Sequence, residues 1–195
     1  MVDLEGMIKE RVIAWYNRTK EDPTLKMTSW KGRIPTHLLF YRDGVSESQY
    51  GMVLDEEKDQ ILDGCRQAFE EVKKDFKNNK FKKGEKWMPK LTLLVVTKRH
   101  HARFFPYKEL QKNEAGDKKI DFSLTSGKVI DTKVVDPTHR DFYLQSHHSG
   151  LGTARSGHYV VLYDDNNYAL LELQQIVSHS AFHVSEIPTL MLMFT

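Results

Sequence analysis

One cysteine, Cys65, stands among 195 residues, and a lone thiol has no partner for an internal disulfide. A disulfide framework is thereby excluded, which fits a reducing compartment. No apolar run approaches the ~18–20 residues that a membrane-spanning helix needs. Charge of one sign is also scarce: 29 Lys and Arg against 27 Asp and Glu leave a formal net charge of +2. An overall basic field of the kind that draws in nucleic acid is absent, so any such footprint must be local. The opening residues Met1-Val2-Asp3-Leu4-Glu5 have neither a basic n-region nor an apolar h-region and do not read as a signal peptide. The expected compartment is the cytoplasm, with the nucleus as the alternative. Nothing in the chain repeats and no linker divides it, so one domain is expected.

What is present reads as an α/β protein. Hydrophobic residues make up 39% of the chain and aromatics 11%, a globular composition. From about 3 to 17, Leu4, Met7, Ile8, Val12 and Trp15 recur at helical spacing behind a possible N-cap, Asp3. Residues 20–33 read as a polar loop broken by Asp22-Pro23. The short run 36–41, between Pro35 and Gly44, reads as a buried strand. A long helix is expected over 46–76, capped by Ser46 and striped with Tyr50, Leu54, Ile61, Cys65, Ala68, Phe69, Val72 and Phe76. The next strand, 91–97, is apolar and β-branched enough to be central. Strand, turn, long helix and strand make a unit with a parallel pair. Residues 106–127 are polar and read as a long loop. Strands follow near 128–135, 141–145 and 158–163, with a final helix from about 166 to 180.

Several segments carry candidate chemistry, each with a plainer reading beside it. Lys98-Arg99-His100-His101-Ala102-Arg103 follows the best strand directly. Ligands of parallel sheets collect beyond strand carboxyl ends, and these cations could supply phosphate donors, although a solvated charge run looks the same. Phe104 and Phe105 would anchor its far end. The lysines from Lys73 to Lys86 suit a solvated helix C-terminus. His100-His101 and His147-His148 are adjacent pairs, and neighbours on extended backbone point to opposite faces, which disfavours a shared metal ion. The stretch 146–158 is rich in glycine and histidine and holds Arg155, so its amides could approach a phosphate. Asp43, just past strand 36–41, could face a metal or could simply make an Asp-Gly turn. The apolar spacing around Cys65 makes it a core residue rather than a nucleophile.

Taken together, these motifs resemble a known family. Phe40-Tyr41-Arg42-Asp43-Gly44-Val45-Ser46-Glu47 resembles the signature of the PIWI domain of eukaryotic Argonaute proteins, an RNase H-like fold. In family order follow Val95 to Phe104, Gly127 to Pro137, Asp141-Phe142-Tyr143-Leu144 and Ser146-His147. Gly152-Thr153-Ala154-Arg155, His158-Tyr159 and Asp164-Asp165-Asn166 complete the set. The resemblance reaches about residue 175, leaving 176–195 as a divergent tail of a partial PIWI domain spanning 1–195.

The resemblance implies roles residue by residue. Asp43 matches a catalytic aspartate and ligand of Mg²⁺ or Mn²⁺. Lys98, Arg99, His101 and Arg103 match a segment lying against guide RNA, and His147 and Arg155 match a loop that also touches guide backbone. Small guide RNA and target RNA are the implied partners, together with tryptophan-containing segments of silencing proteins. The other three metal ligands of the family find no match, so two-metal cleavage by this chain alone is not expected, nor is stable metal binding. The expected function is RNA binding in RNA silencing. A guide-directed endoribonuclease, if further catalytic segments exist in the full-length protein, and a protein-interaction module are the alternatives. The N-terminal strands of the fold also find no match, so strand 36–41 is expected to expose an unpaired apolar edge. The tail Leu190 to Phe194 is expected to add to an aggregation hazard.

Overall fold

The computed structural model describes residues 3–21, 34–75, 86–105, 110–112, 118–120, 124–147, 154–183 and 190–194. The parallel pair expected from the two apolar runs is present as β1 (His37–Asp43) and β2 (Lys90–Thr97), in register from His37 opposite Lys90 to Asp43 opposite Val96. Side chains alternate across a strand, and here both faces are covered. Leu38 and Phe40 of β1 join Leu91, Leu93 and Val95 of β2 in one core. Leu39 and Tyr41 join Leu94 and Val96 in the other. Two-sided burial explains why neither run shows a polar alternation.

Helices α1 (Leu4–Glu21) and α2 (Lys58–Asp75) cover the first face. Asp3 caps α1, its carboxylate accepting the Gly6 N–H at 3.0 Å. The buried stripe of α1 is Leu4, Ile8, Val12 and Tyr16, spaced by four, and then Thr19, three residues on. Met7 is exposed and Trp15 only half-buried, so the expected stripe was one position too wide. Helix α2 buries Ile61, Cys65, Ala68, Phe69 and Val72 as expected. Gly64 lets the two helices touch, since a Cβ there would meet the Glu5 carbonyl oxygen at 2.5 Å. Burial raises the Cys65 thiol to about 12, consistent with an inert core residue.

The long helix expected over 46–76 is segmented. Behind Ser46 run a 3₁₀ turn (Glu47–Gln49), one α turn (Tyr50–Met52) and a π segment (Val53–Glu57) before α2 begins. Phe76 lies outside the described residues, as does most of 20–33, the lysine-rich 76–85, and His148. The expected loop 106–127 contains a small hairpin, β3 (Leu110–Lys112) against β4 (Lys118–Ile120). Of 128–135 only β5 (Lys128–Ile130) is strand. Val134 then donates to the Thr132 carbonyl, and Lys133 takes a positive φ of 64°, which breaks the ladder. Strands β6 (Arg140–Gln145) and β7 (Gly157–Asp164) and helix α3 (Leu170–His183) complete the elements expected there. Leu173 and Val177 of α3 seal the second face against Phe142, Leu144 and Tyr159. Among the described residues no helix is long and apolar enough to cross a membrane.

The main sheet runs β5-β6-β7-β2-β1-β8, where β8 is Leu190–Phe194. This corrects the expectation of a bare β1 edge. Strand β8 lies antiparallel on β1, from Leu38 opposite Phe194 to Arg42 opposite Leu190. The apolar tail read as an aggregation hazard supplies the amides and carbonyls that this edge needs. A chain shortened after Ile187 is therefore expected to self-associate and to melt at lower temperature. Light scattering and thermal unfolding check this, and an unchanged monodisperse protein would refute it.

Candidate nucleic-acid interface

Strands β1, β2 and β6 share a direction, so their carboxyl ends lie at one end of the sheet. Asp43 is the last residue of β1, not just beyond it, and Gly44 makes the following turn at φ 76°. Its carboxylate faces the Lys98 ammonium at 3.5 Å. Both groups are partly solvated, so this pair contributes at most ~1 kcal/mol. Burial, and then the charge of Asp43, raise the Tyr159 phenol to about 12. Among the described residues no three His, Cys, Asp or Glu side chains come together as a metal would require. One carboxylate facing an ammonium does not fit a two-metal centre.

Asp43 is held by its neighbour. Arg42 points to the opposite face, where Nε donates to both Glu57 oxygens at 3.1 and 2.8 Å. Its Nη1 donates to the Asp43 carbonyl at 2.6 Å. Glu57 closes the π segment and is 3% exposed, so this is a buried, chelated ion pair. Interruptions of this kind are frequent near functional sites, where they re-aim a side chain.

The segment after β2 presents its cations unevenly. Lys98, Arg99 and His101 are exposed, whereas His100 and Arg103 turn partly inward. The Arg103 guanidinium donates through Nη1 to the carbonyls of His100 (2.9 Å) and Ala102 (2.7 Å), so part of this fork braces its own loop. Phe104 packs edge-on against Tyr143, with ring centroids 4.9 Å apart. Phe105 does not anchor the segment as expected, being 57% exposed.

His100 reaches across to the other basic segment. Its Nε2 lies 2.6 Å from the Ser156 carbonyl, which can only accept, so Nε2 carries the proton. Burial is the main reason its imidazole titrates below the usual range. The Ser156 bond opposes that shift, while His158, Arg103 and Arg155 add to it. A neutral imidazole thus sits among the cations. His147 and Arg155, at the two ends of the β6–β7 connection, are both exposed. The structure therefore brings Lys98, Arg99, His101, Arg103, His147 and Arg155 to one end of the sheet, beside Asp43.

Sequence reasoning missed the groups underneath. Gln145 is fully buried, its amide bonding the His147 carbonyl and accepting from Ser156 Oγ at 2.9 Å. His158 donates to Asp141 at 2.7 Å, and Tyr143 stacks on it at 4.3 Å between centroids. Asp141, Tyr143 and His158 had stood only within the family motifs, and strand alternation is the signal that turns Asp141, Tyr143 and Gln145 to the face opposite Phe142 and Leu144. Glu57→Ala is expected to destabilise the protein by about 3–5 kcal/mol, because it strands the Arg42 charge. Urea unfolding measures this, and a loss below ~1 kcal/mol would show that water already solvates the pair.

Comparison with known proteins bears on the family and the fold. The Piwi domain family model matches residues 1–187. Protein argonaute 4 of Arabidopsis thaliana is 34% identical over 180 residues, covering 92% of this chain and 15% of that protein. The C-terminal lobe of a budding yeast Argonaute superposes with a TM-score of 0.63 at 30% identity, over 83% of this chain and 30% of that one. Kluyveromyces polysporus Argonaute, crystallised with a guide RNA, superposes with a TM-score of 0.69 at 27% identity, over 90% of this chain and 19% of that one. The chain thus spans a small part of the relatives it matches. With the family model matching nearly the whole chain and the α/β sheet superposing on Argonaute structures, this chain belongs to the Piwi domain family.

Proposed function

We propose that the basic edge holds the sugar–phosphate backbone of a small guide RNA, or of a guide–target duplex, within an Argonaute-type protein of RNA silencing. The observation that carries this reading is the convergence of two basic segments, far apart in sequence, at the carboxyl ends of β1, β2 and β6. A relative crystallised with a guide RNA adds support. Exposed Arg99 and Arg155 offer planar forks suited to phosphate, and Lys98, His101 and His147 widen the surface. Such contacts read backbone and shape, so binding is salt-dependent and tolerant of sequence. The setting is the cytoplasm, with the nucleus as the alternative. Partner proteins with tryptophan-containing segments enter the proposal through family membership alone.

Cleavage is a separate matter. Asp43 contributes one carboxylate, and guide-directed cleavage with Mg²⁺ or Mn²⁺ needs more ligands than the described residues bring together. We propose that this chain holds RNA rather than cutting it. A cleavage assay with guide, target and Mg²⁺ or Mn²⁺, comparing the parent with Asp43→Ala, decides between the two. Asp43-dependent product would favour the endoribonuclease.

Replacing Arg99 and Arg155 together by alanine removes exposed forks and spares the bracing role of Arg103. Filter binding of single-stranded RNA across a salt series is expected to show weaker binding. The log–log salt slope is expected to fall by about 1.4, from roughly 0.7 per phosphate contact. An unchanged slope would overturn the proposal.

A further inference from the structure

The cations of this interface come from segments more than forty residues apart in sequence, and the β2–β7 ladder brings them close as far as Thr97 opposite His158 but does not extend to Lys98–Arg103 or Arg155. Beyond the ladder, what joins them is a chain of hydrogen bonds made by buried and part-buried side chains. The Gln145 side chain, with no solvent exposure, donates through Nε2 to the carbonyl of His147 and accepts at Oε1 from Ser156 Oγ, 2.9 Å away. Ser156, itself 3% exposed, turns its carbonyl to His100 Nε2 at 2.6 Å. The His100 backbone carbonyl in turn receives Arg103 Nη1 at 2.9 Å. His147, Arg155 and the basic segment are thus fastened to one chain of contacts.

A second set of contacts fixes the imidazole. Tyr143 meets the His100 ring edge-on at 5.2 Å and stacks on His158 at 4.3 Å. His158 is itself oriented by Asp141, which is 4% exposed, through a 2.7 Å bond. The His100 Nδ1 atom is buried without a hydrogen-bond partner among the described residues. Burying a bare ring nitrogen is unfavourable, so the ring is kept in place by what Nε2 and the aromatic contacts do.

We propose that Gln145, Ser156 and His100 are positioning residues, a buried hydrogen-bonded latch that sets the two basic segments at a fixed spacing for one RNA backbone, with Asp141, His158 and Tyr143 orienting its imidazole. The inference rests on the RNA-binding reading above for its ligand, and on geometry alone for the latch. Pre-organising the cations before RNA arrives lowers the ordering cost of binding. Keeping His100 neutral leaves the latch free of one more buried charge among Arg103, Arg155 and His158.

The test uses the whole chain and two readouts. His100→Phe keeps an aromatic ring and removes the donor, whereas His100→Gln restores an N–H close to the Nε2 position. Limited trypsin digestion without RNA is expected to cut after Arg103 and Arg155 about tenfold faster in His100→Phe and Gln145→Leu, as local opening becomes easier. Parent-like rates are expected in His100→Gln. Single-stranded RNA is expected to bind about tenfold more weakly to His100→Phe, again with recovery in His100→Gln. The loss is expected to shrink to less than twofold in an Arg155→Ala background, because a positioning residue has nothing left to position. Equal digestion rates in all variants overturn the latch, and so does an equal His100→Phe loss with and without Arg155. If the parent binds no RNA, the functional reading fails, while digestion still decides the latch.

Discussion

Strand β2 is the element on which the other parts depend. Every side of it is occupied: β1 lies along one edge, β7 along the other, and an apolar core presses on each face. It is laddered to β1 and β7, with an irregularity between Leu93 and Leu94 and with the Leu91 carbonyl accepting the Asp165 N–H just past β7, and Leu91, Leu93, Leu94, Val95 and Val96 are fully buried. Each such side chain contributes about 1.5–3 kcal/mol of burial, and the strand cannot slip by one residue without exchanging its two cores. Where β2 ends, the position of the basic segment is settled.

The same constraint explains why charge gathers at one end of the sheet. At the other end, Thr92 donates to Asp164, Asn166 donates to Thr92, and Arg140 pairs with Asp164, so polar groups there serve one another. At the carboxyl end the polar groups bond backbone carbonyls and leave several cations exposed. Arg42 braces Asp43, Arg103 braces its own loop, and His100 braces Ser156. One end thus carries charges paired with one another, and the other carries exposed cations above a hydrogen-bonded base in which His100 Nδ1 has no partner among the described residues.

Strand β8 shows how an edge can be managed with little sequence signal. The five residues Leu-Met-Leu-Met-Phe have no polar alternation. Alone they read as sticky, because hydrophobicity without a partner predicts association of any kind. Placed on β1, the same segment completes a ladder. The difference lies in which edge is available, and that depends on how β1 and β2 pair far away in the chain.

Much was legible in the residues themselves. Two apolar runs specify buried strands because burial on both faces admits a polar side chain only where it is bonded, as Thr92 is to Asp164, and the spacing of Ile61, Cys65, Ala68, Phe69 and Val72 specifies a helix face because helical geometry returns every three to four residues. Ordered motifs that resemble the Piwi domain singled out Asp43 and six basic or histidine positions, and the sheet carries them at one end. Hidden from that reading were the π segment that delivers Glu57 to Arg42, the β8 pairing, and the Gln145–Ser156–His100 chain. Local patterning reports what each segment must bury, because hydrophobicity and backbone geometry act between near neighbours. Only the tertiary structure decides which distant carbonyl meets a buried donor, because that bond forms after the sheet has brought β2, β6 and β7 side by side.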